Sequence, residues 1–160
     1  RSAKRPAVTI DPAQALTLPA GLYRRFQAAM RPLASLSADQ SVPLITCLSG
    51  GADSTALALL AETYGRQTGR QHSTIIIDHG IRPAAAQEAA RTAQRMRQCG
   101  IAATIRRATA AAPSSGIQPW ARAQRYGIAT AEARKQGAVL LLGQHADQAT
   151  GPPPVGGHLP

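Results

Sequence analysis

The chain has 160 residues, of which 44% are hydrophobic and only 3% aromatic, and this length and composition fit one globular domain with an aliphatic core. Its net charge of +10 suits a polyanionic partner such as nucleic acid, although an arginine-rich composition with solvated faces would produce the same charge. No apolar run is long enough to span a bilayer, and Cys47 and Cys99 lack the spacing of zinc ligands or redox motifs, so we expect reduced thiols in a cytoplasmic protein.

Apolar residues recur in strand-like and helix-like patterns along most of the chain. The ends are different, because residues 1–19 and 151–160 are rich in proline and lack periodicity, which predicts a flexible arm and a disordered tail. We expect Pro32 to end or bend the first predicted helix, and Gly65 to be the residue that follows the end of the second predicted helix. In chain order we predict a helix at about 20–31, a strand at 43–48, a helix from the glycine turn to 64, a strand at 73–78, a helix at 84–98, a strand at 102–107, a helix at 119–136 and a strand at 138–142.

This alternation of strands and helices predicts the fold class. It is typical of an α/β protein with an open, mainly parallel sheet and helices on both faces, in the Rossmann-like manner. The segments after strands one, two and four are residues 49–54, 78–82 and 143–147. Ligands of such sheets bind beyond the carboxyl ends of the strands, so we expect these three segments to converge on one cleft.

A glycine turn lies between the first strand and the helix that follows it. Two adjacent glycines allow a sharp turn and leave the backbone amides uncovered, and with the helix N-terminus they can bind an anion. Hydroxyls of Ser49, Ser54 and Thr55 add donors, whereas Asp53 suits either a helix cap or a metal ion that bridges to phosphate. An ordinary capped turn is the alternative, and the absence of a following lysine excludes a Walker-type loop.

A second polar group follows the second strand, where the sequence reads Asp78-His79-Gly80-Ile81-Arg82. These side chains could bind a nucleotide or polarise a reacting oxygen. The alternative is a plain turn with a capping Asp78 and an exposed His79.

A third group lies on the last predicted helix. Arg122, Arg125 and Tyr126 are three or four residues apart and therefore share a face. That face could contact a ligand, or it could be a solvated basic surface with Trp120 and Tyr126 packed as core.

Three motifs together carry a family resemblance. Ser-Gly-Gly-Ala-Asp-Ser resembles the pyrophosphate-binding loop, or PP-loop, of the ATP pyrophosphatase superfamily. With Asp-His-Gly-Ile-Arg and Ala-Arg-Ala-Gln-Arg-Tyr, the chain over about residues 20–150 resembles part of the catalytic domain of the tRNA(Ile)-lysidine synthase family. The resemblance implies that ATP adenylates the 2-keto oxygen of the wobble cytosine in an isoleucine tRNA with a CAU anticodon. The amine of L-lysine then displaces AMP.

The resemblance also implies roles for individual residues. Asp53, His79 and Arg122 would be catalytic, and Asp53 with Asp147 would bind Mg²⁺. The residues that would hold ATP are Ser49, Gly50, Gly51, Ala52, Asp53 and Ser54.

The block after the fourth strand departs from the family pattern. The family pattern resembles His-His-x-Asp-Asp-Gln-x-Glu-Thr, whereas this chain reads Gln-His-Ala-Asp-Gln-Ala-Thr over residues 144–150. Asp147 is therefore the one candidate for a second metal-binding carboxylate, and we expect a truncated catalytic domain with reduced activity. The alternatives are a non-catalytic nucleotide- or RNA-binding remnant and another PP-loop enzyme such as a tRNA thiolase. The cysteine spacing disfavours the thiolases that carry a Cys-x-x-Cys pair, and the oligomeric state stays open.

Overall fold

The structure, a computed structural model, describes residues 18–36 and 42–143, and side chains are described outside residues 33–36. Most of the predicted arm, the block at 144–150 and the predicted tail lie outside the described residues. Eight elements follow one another in the alternating order that the sequence predicts. They are α1 (Ala20–Leu36), β1 (Leu44–Leu48), α2 (Ala52–Thr68), β2 (His72–Asp78), α3 (Ala85–Gln98), β3 (Ala102–Arg107), α4 (Ile117–Gln136) and β4 (Val139–Leu142).

The four strands form one sheet in the order β3-β2-β1-β4, and every neighbouring pair is parallel. The register places Leu48 of β1 beside Ile76 of β2, and Asp78 of β2 beside Arg107 of β3. The carboxyl ends of β1 and β2 therefore lie side by side. The predicted fold class, an open parallel sheet of the Rossmann-like type, is confirmed.

Helices pack on both faces of the sheet because successive strand residues point in opposite directions. On one face, Leu48 and Ile76 pack with Ala58 of α2 and with Ala93 of α3. On the other face, the isoleucines of the same strands pack against alanines of α4. That second cluster contains Ile45, Cys47, Ile75, Ile77, Ala129 and Ala133. Small helix residues bring the helices close to the sheet, which gives a dense core with few aromatic side chains.

Two predicted helix ends are wrong. Helix α1 continues through Pro32 to Leu36. Its Met30 is buried in a cluster with Leu44 and Tyr64, and this packing holds the helix although proline removes one main-chain hydrogen bond.

Helix α2 includes Gly65 and ends at Thr68, and the residue that caps its end is Gly69, which has a φ of +74°. Gly65 has a packing role instead, because a Cβ there would lie 2.8 Å from the carbonyl oxygen of Arg70.

Cys47 and Cys99 are both free thiols, and burial raises the pKa of Cys47 to about 11. In the part of the chain that the structure describes, no helix combines the length and the apolar character needed to cross a bilayer.

Candidate nucleotide site

Two adjoining cavities open at the carboxyl ends of β1 and β2. The first, which we call the loop cavity, has a volume of about 540 Å³ and lies between the turn at residues 49–54 and the start of α4. The second, which we call the α3 cavity, has a volume of about 770 Å³ and extends from the same turn to one side of α3. Both are lined by Ser49, Gln118, Ala121 and Arg125. Segments that follow β1 and β2 thus meet at one cleft, as the sequence predicts.

The turn after β1 is held by hydrogen bonds inside the turn. Gly50 has a φ of +85°, a conformation that favours glycine. The hydroxyl of Ser54 accepts a hydrogen bond from the amide of Ser49 at 3.2 Å and donates one to the carbonyl of Gly51 at 3.0 Å. The hydroxyl and the amide of Thr55 donate to the same carbonyl, at 3.0 and 3.2 Å. The turn is therefore preorganised before any ligand binds.

This arrangement changes the expected role of three hydroxyls. The single hydroxyl protons of Ser54 and Thr55 are directed to the carbonyl of Gly51, inside the turn. The hydroxyl of Ser49 then donates to the Ser54 oxygen at 3.1 Å, so donors for an anion at the cavity would come from exposed main-chain amides of Gly50 and Gly51 and from the N-terminus of α2.

Asp53 lies in the first turn of α2 and lines the loop cavity. The N-cap position belongs to Gly51, so Asp53 is a residue of the first helical turn and not the N-cap residue. Asp53 is exposed, which leaves its carboxylate accessible from the cavity. Its predicted metal-binding companion, Asp147, lies outside the described residues. Within residues 18–36 and 42–143, no three His, Cys, Asp or Glu side chains are grouped so that they could hold a metal ion.

The end of β4 approaches the same turn. A Cβ at Gly143 would lie 3.1 Å from the Cα of Ser54, so only glycine fits at this position without a shift of the backbone. The third predicted segment therefore begins at the cleft, and its continuation beyond Gly143 lies outside the described residues.

Asp78 and His79 have different surroundings. Asp78 is buried, accepts a hydrogen bond from the amide of Gly80 at 2.9 Å and lies 3.9 Å from the guanidinium of Arg107. Asp78 thus stabilises the turn, as the plain-turn interpretation predicts.

His79 instead lines the α3 cavity, with its ring centroid 6.3 Å from that of Trp120. Its Nδ1 atom is buried and has no hydrogen-bond partner among the described residues. Burial and the charge of Arg125 lower the pKa of His79 below its ordinary value, although the negative charge of Asp78 acts to raise it. The imidazole is therefore neutral at neutral pH.

Two arginines of α4 line the loop cavity opposite the turn. The guanidinium of Arg122 lies 5.4 Å from the ring centroid of Tyr126, close enough for a cation–π contact. Arg125 lines both cavities and makes no ion pair with any residue that the structure describes. The predicted site residues omitted Arg125, although its spacing from Arg122 on one helix face is the signal that could have identified it. A half-buried cation without a counterion favours an anionic ligand.

Comparisons with known proteins agree with this geometry. A family model described as the PP-loop domain matches residues 22–150. A tRNA(Ile)-lysidine synthase of Bifidobacterium longum subsp. infantis is 36% identical over 118 residues, which cover 72% of this chain and 30% of the relative. Proteins with the same name from Mesorhizobium japonicum and Zymomonas mobilis are 37% and 34% identical over 66% and 78% of this chain. The match covers 24% and 36% of those two relatives, so the chain spans about a third of the length of the curated relatives that it matches.

Proposed function

This chain belongs to the PP-loop domain family, and we propose that it binds ATP at residues 49–54 and uses it to ligate L-lysine to the wobble cytidine of an isoleucine tRNA. The observation that carries the proposal is the joint position of the glycine turn and of Arg122 and Arg125 on opposite walls of one cavity. The names of the relatives supply the substrate, since several are tRNA(Ile)-lysidine synthases. We also propose that the protein acts in the cytoplasm.

The loop cavity suits the phosphate chain of ATP for electrostatic reasons. The glycine turn leaves main-chain amides without side-chain cover, and the N-terminus of α2 adds a partial positive charge. Arg122 and Arg125 contribute full charges from the facing helix, and guanidinium groups match phosphate geometry. These donors are present before the reaction, so they can stabilise the negative charge that develops on the departing pyrophosphate.

A magnesium ion fits beside this anion site. Asp53 has an exposed carboxylate on the loop cavity, and Mg²⁺ in proteins commonly binds one or two carboxylates together with phosphate oxygens and water. Asp53 would hold the ion, with Asp147 as the candidate for a second ligand. Bound there, the ion would neutralise phosphate charge and orient the phosphates.

The chemistry has two steps that these residues can assist. The 2-keto oxygen of cytosine attacks the α-phosphorus of ATP, which forms an oxygen–phosphorus bond and releases pyrophosphate. The lysine amine then attacks the activated carbon and loses a proton, and AMP leaves with the former keto oxygen. A neutral His79 can accept that proton, whereas Arg122 would position the phosphate that is attacked.

Lysine-dependent AMP release tests the proposal. The purified chain is incubated with ATP, Mg²⁺ and isoleucine tRNA with a CAU anticodon, with and without L-lysine. AMP that forms only when both tRNA and lysine are present supports the ligase function. AMP formation that requires tRNA but not lysine would favour another PP-loop enzyme, and ATP binding without any AMP would favour a non-catalytic binding protein.

A further inference from the structure

We propose that the α3 side of the second cavity binds single-stranded RNA, with Arg91 and Arg95 on its phosphates and Ile81 and Ile117 against a base. This inference rests on the proposed function, because it assigns a place to the RNA substrate beside the ATP site. Of the two apolar residues of this surface, Ile81 lies in one of the three motifs at residues 49–54, 78–82 and 121–126, and Ile117 lies outside them. Its two arginines belong to none of those motifs.

The first observation is the pairing of arginines. Seven of the 14 arginines that the structure describes have a side-chain partner, whereas the guanidinium groups of Arg91 and Arg95 make no ion pair or hydrogen bond to any described side chain or carbonyl. The paired arginines and their partners are Arg66 with Glu62, Arg70 with the carbonyl of Val42, Arg82 with Glu88, Arg97 with the carbonyl of Ala103, Arg106 with Glu132, Arg107 with Asp78, and Arg122 with the ring of Tyr126. The two unpaired cations nevertheless line a cavity, where a ligand could supply the counterion.

The second observation is their spacing. Arg91 and Arg95 are four residues apart on α3, so they lie on the same helix face about 6 Å apart along the axis. Both are exposed. Two cations in a row along a helix can contact successive negative groups of a flexible polyanion.

The third observation is an apolar surface on the same cavity. Ile81 and Ile117 are 36% and 39% exposed, and they belong to the few large hydrophobic side chains exposed among the described residues. Both line the α3 cavity. Enzymes that modify a base hold it, unstacked, in a pocket between aromatic or apolar side chains, while cations hold the backbone. Apolar side chains next to unpaired arginines match that chemistry.

The last step is the connection to the ATP site. Ser49 and Arg125 line both cavities, so a base held in the α3 cavity would face the phosphates held in the loop cavity across a shared wall. This position favours RNA over an acidic peptide or an anionic membrane, because the RNA base is the group that must meet activated phosphate. The net charge of +10 would attract the RNA from a distance.

A matched pair of double variants tests the inference. Arg91→Gln/Arg95→Gln removes the proposed contacts, and Arg24→Gln/Arg25→Gln removes two exposed arginines of α1 that line neither cavity. The probe is a fluorescein-labelled RNA hairpin whose loop contains cytosine, titrated by anisotropy over a range of salt concentrations. ATP affinity is measured by calorimetry for every variant, as a readout of folding and of the ATP site. An acidic peptide and vesicles containing anionic lipid serve as competing probes.

We expect the α3 double variant to bind the hairpin about tenfold more weakly and to lower the salt slope by about 1.4, because each phosphate contact to a single strand contributes about 0.7. The α1 variant should change both values much less, and neither variant should change ATP affinity. Equal losses in the two variants, no hairpin binding by the unchanged chain, or equally tight binding of the peptide or vesicles would each overturn the RNA surface. Failure of the unchanged chain to bind ATP would instead contradict the proposed function, since the hairpin measurements do not depend on it.

Discussion

The hydroxyl of Thr46, in the middle of β1, lies 2.9 Å from Nε2 of His72 at the start of β2, and both side chains are buried. The other ring nitrogen, Nδ1, lies 2.9 Å from the carboxylate of Glu62, which also pairs with Arg66 at 2.8 Å. Because a carboxylate only accepts hydrogen bonds, Nδ1 of His72 carries the proton of the contact with Glu62. This network joins β1, β2 and α2 beneath the cavities, and full burial of Thr46 excludes it as a nucleophile.

The network predicts how the stability of the fold depends on pH. Burial alone would raise the pKa of Glu62, but hydrogen bonds from His72 and Arg66 outweigh it and lower the pKa below its ordinary value of 4.5. The ionised form is therefore stabilised in the folded state. Its contribution is fully present above about pH 4.5 and is lost as the pH falls through the lower pKa of the folded protein.

Glu62→Gln should therefore reduce the free energy of unfolding at pH 7 by about 1–3 kcal/mol. It should also flatten the decline of stability below pH 4.5. Urea unfolding at several pH values measures both effects. An unchanged acid dependence in the variant would show that the titration of Glu62 does not control it.

The ATP site can be tested with two substitutions that act through different groups. A Cβ at Gly51 meets nothing closer than Ser49 Oγ at 3.7 Å, so Gly51→Val should preserve the fold while its side chain covers the amides. We expect ATP affinity to fall about tenfold with or without Mg²⁺, which corresponds to about 1.4 kcal/mol. Asp53→Ala should weaken ATP binding in Mg²⁺ only. Calorimetry with Mg²⁺ and with a chelator separates the two effects, and unchanged affinity in both variants would exclude this turn as the phosphate site.

The charge of Arg125 should influence the pKa of His79. After burial, its charge is the next cause that lowers the pKa of His79, so Arg125→Gln should raise that pKa toward its ordinary value of 6.5. The same change should weaken ATP binding because it removes a cation from both cavities. A titration of the His79 ring followed by NMR measures the first effect. A pKa that stays constant in the variant would place the guanidinium too far from the ring to matter.

Two glycine substitutions should change stability in opposite directions. Gly65→Ala introduces a Cβ 2.8 Å from the carbonyl oxygen of Arg70, and we expect a loss of about 1–2 kcal/mol because the backbone must move. Gly127→Ala in α4 meets nothing within 4 Å and should stabilise the protein by about 0.5–1 kcal/mol, since alanine favours a helix. Thermal unfolding compares the two variants. Equal shifts of either sign would contradict the close packing at Gly65.

Local sequence patterns were sufficient to predict the helices and strands and the fold class. The strand β3 begins and ends at the predicted residues, Ala102 and Arg107, and α4 ends at the predicted Gln136. Alternation of β-branched runs with helix-forming runs also predicted a parallel sheet, because a helix between strands leaves little choice of direction. The proposed position of the anion site follows from the rule that ligands bind at the carboxyl ends of such strands.

Contacts between distant residues decided the rest. Glycine commonly follows the end of a helix, but Gly65 lies inside α2, where a Cβ would collide with the carbonyl oxygen of Arg70. The hydroxyl of Ser54 has the chemistry of an anion donor, but the carbonyl of Gly51 takes its proton.

The sequence by itself determined which segments are strands and helices, because side-chain periodicity acts within a few residues. It also contains the glycine motif at residues 49–54 for which we propose phosphate binding. Only the tertiary structure decided that Arg125 faces both cavities, that Arg91 and Arg95 lack partners among the described residues, and that Thr46, His72 and Glu62 share one network. Burial and charge pairing are properties of the whole packed chain, and residues far apart in sequence set them.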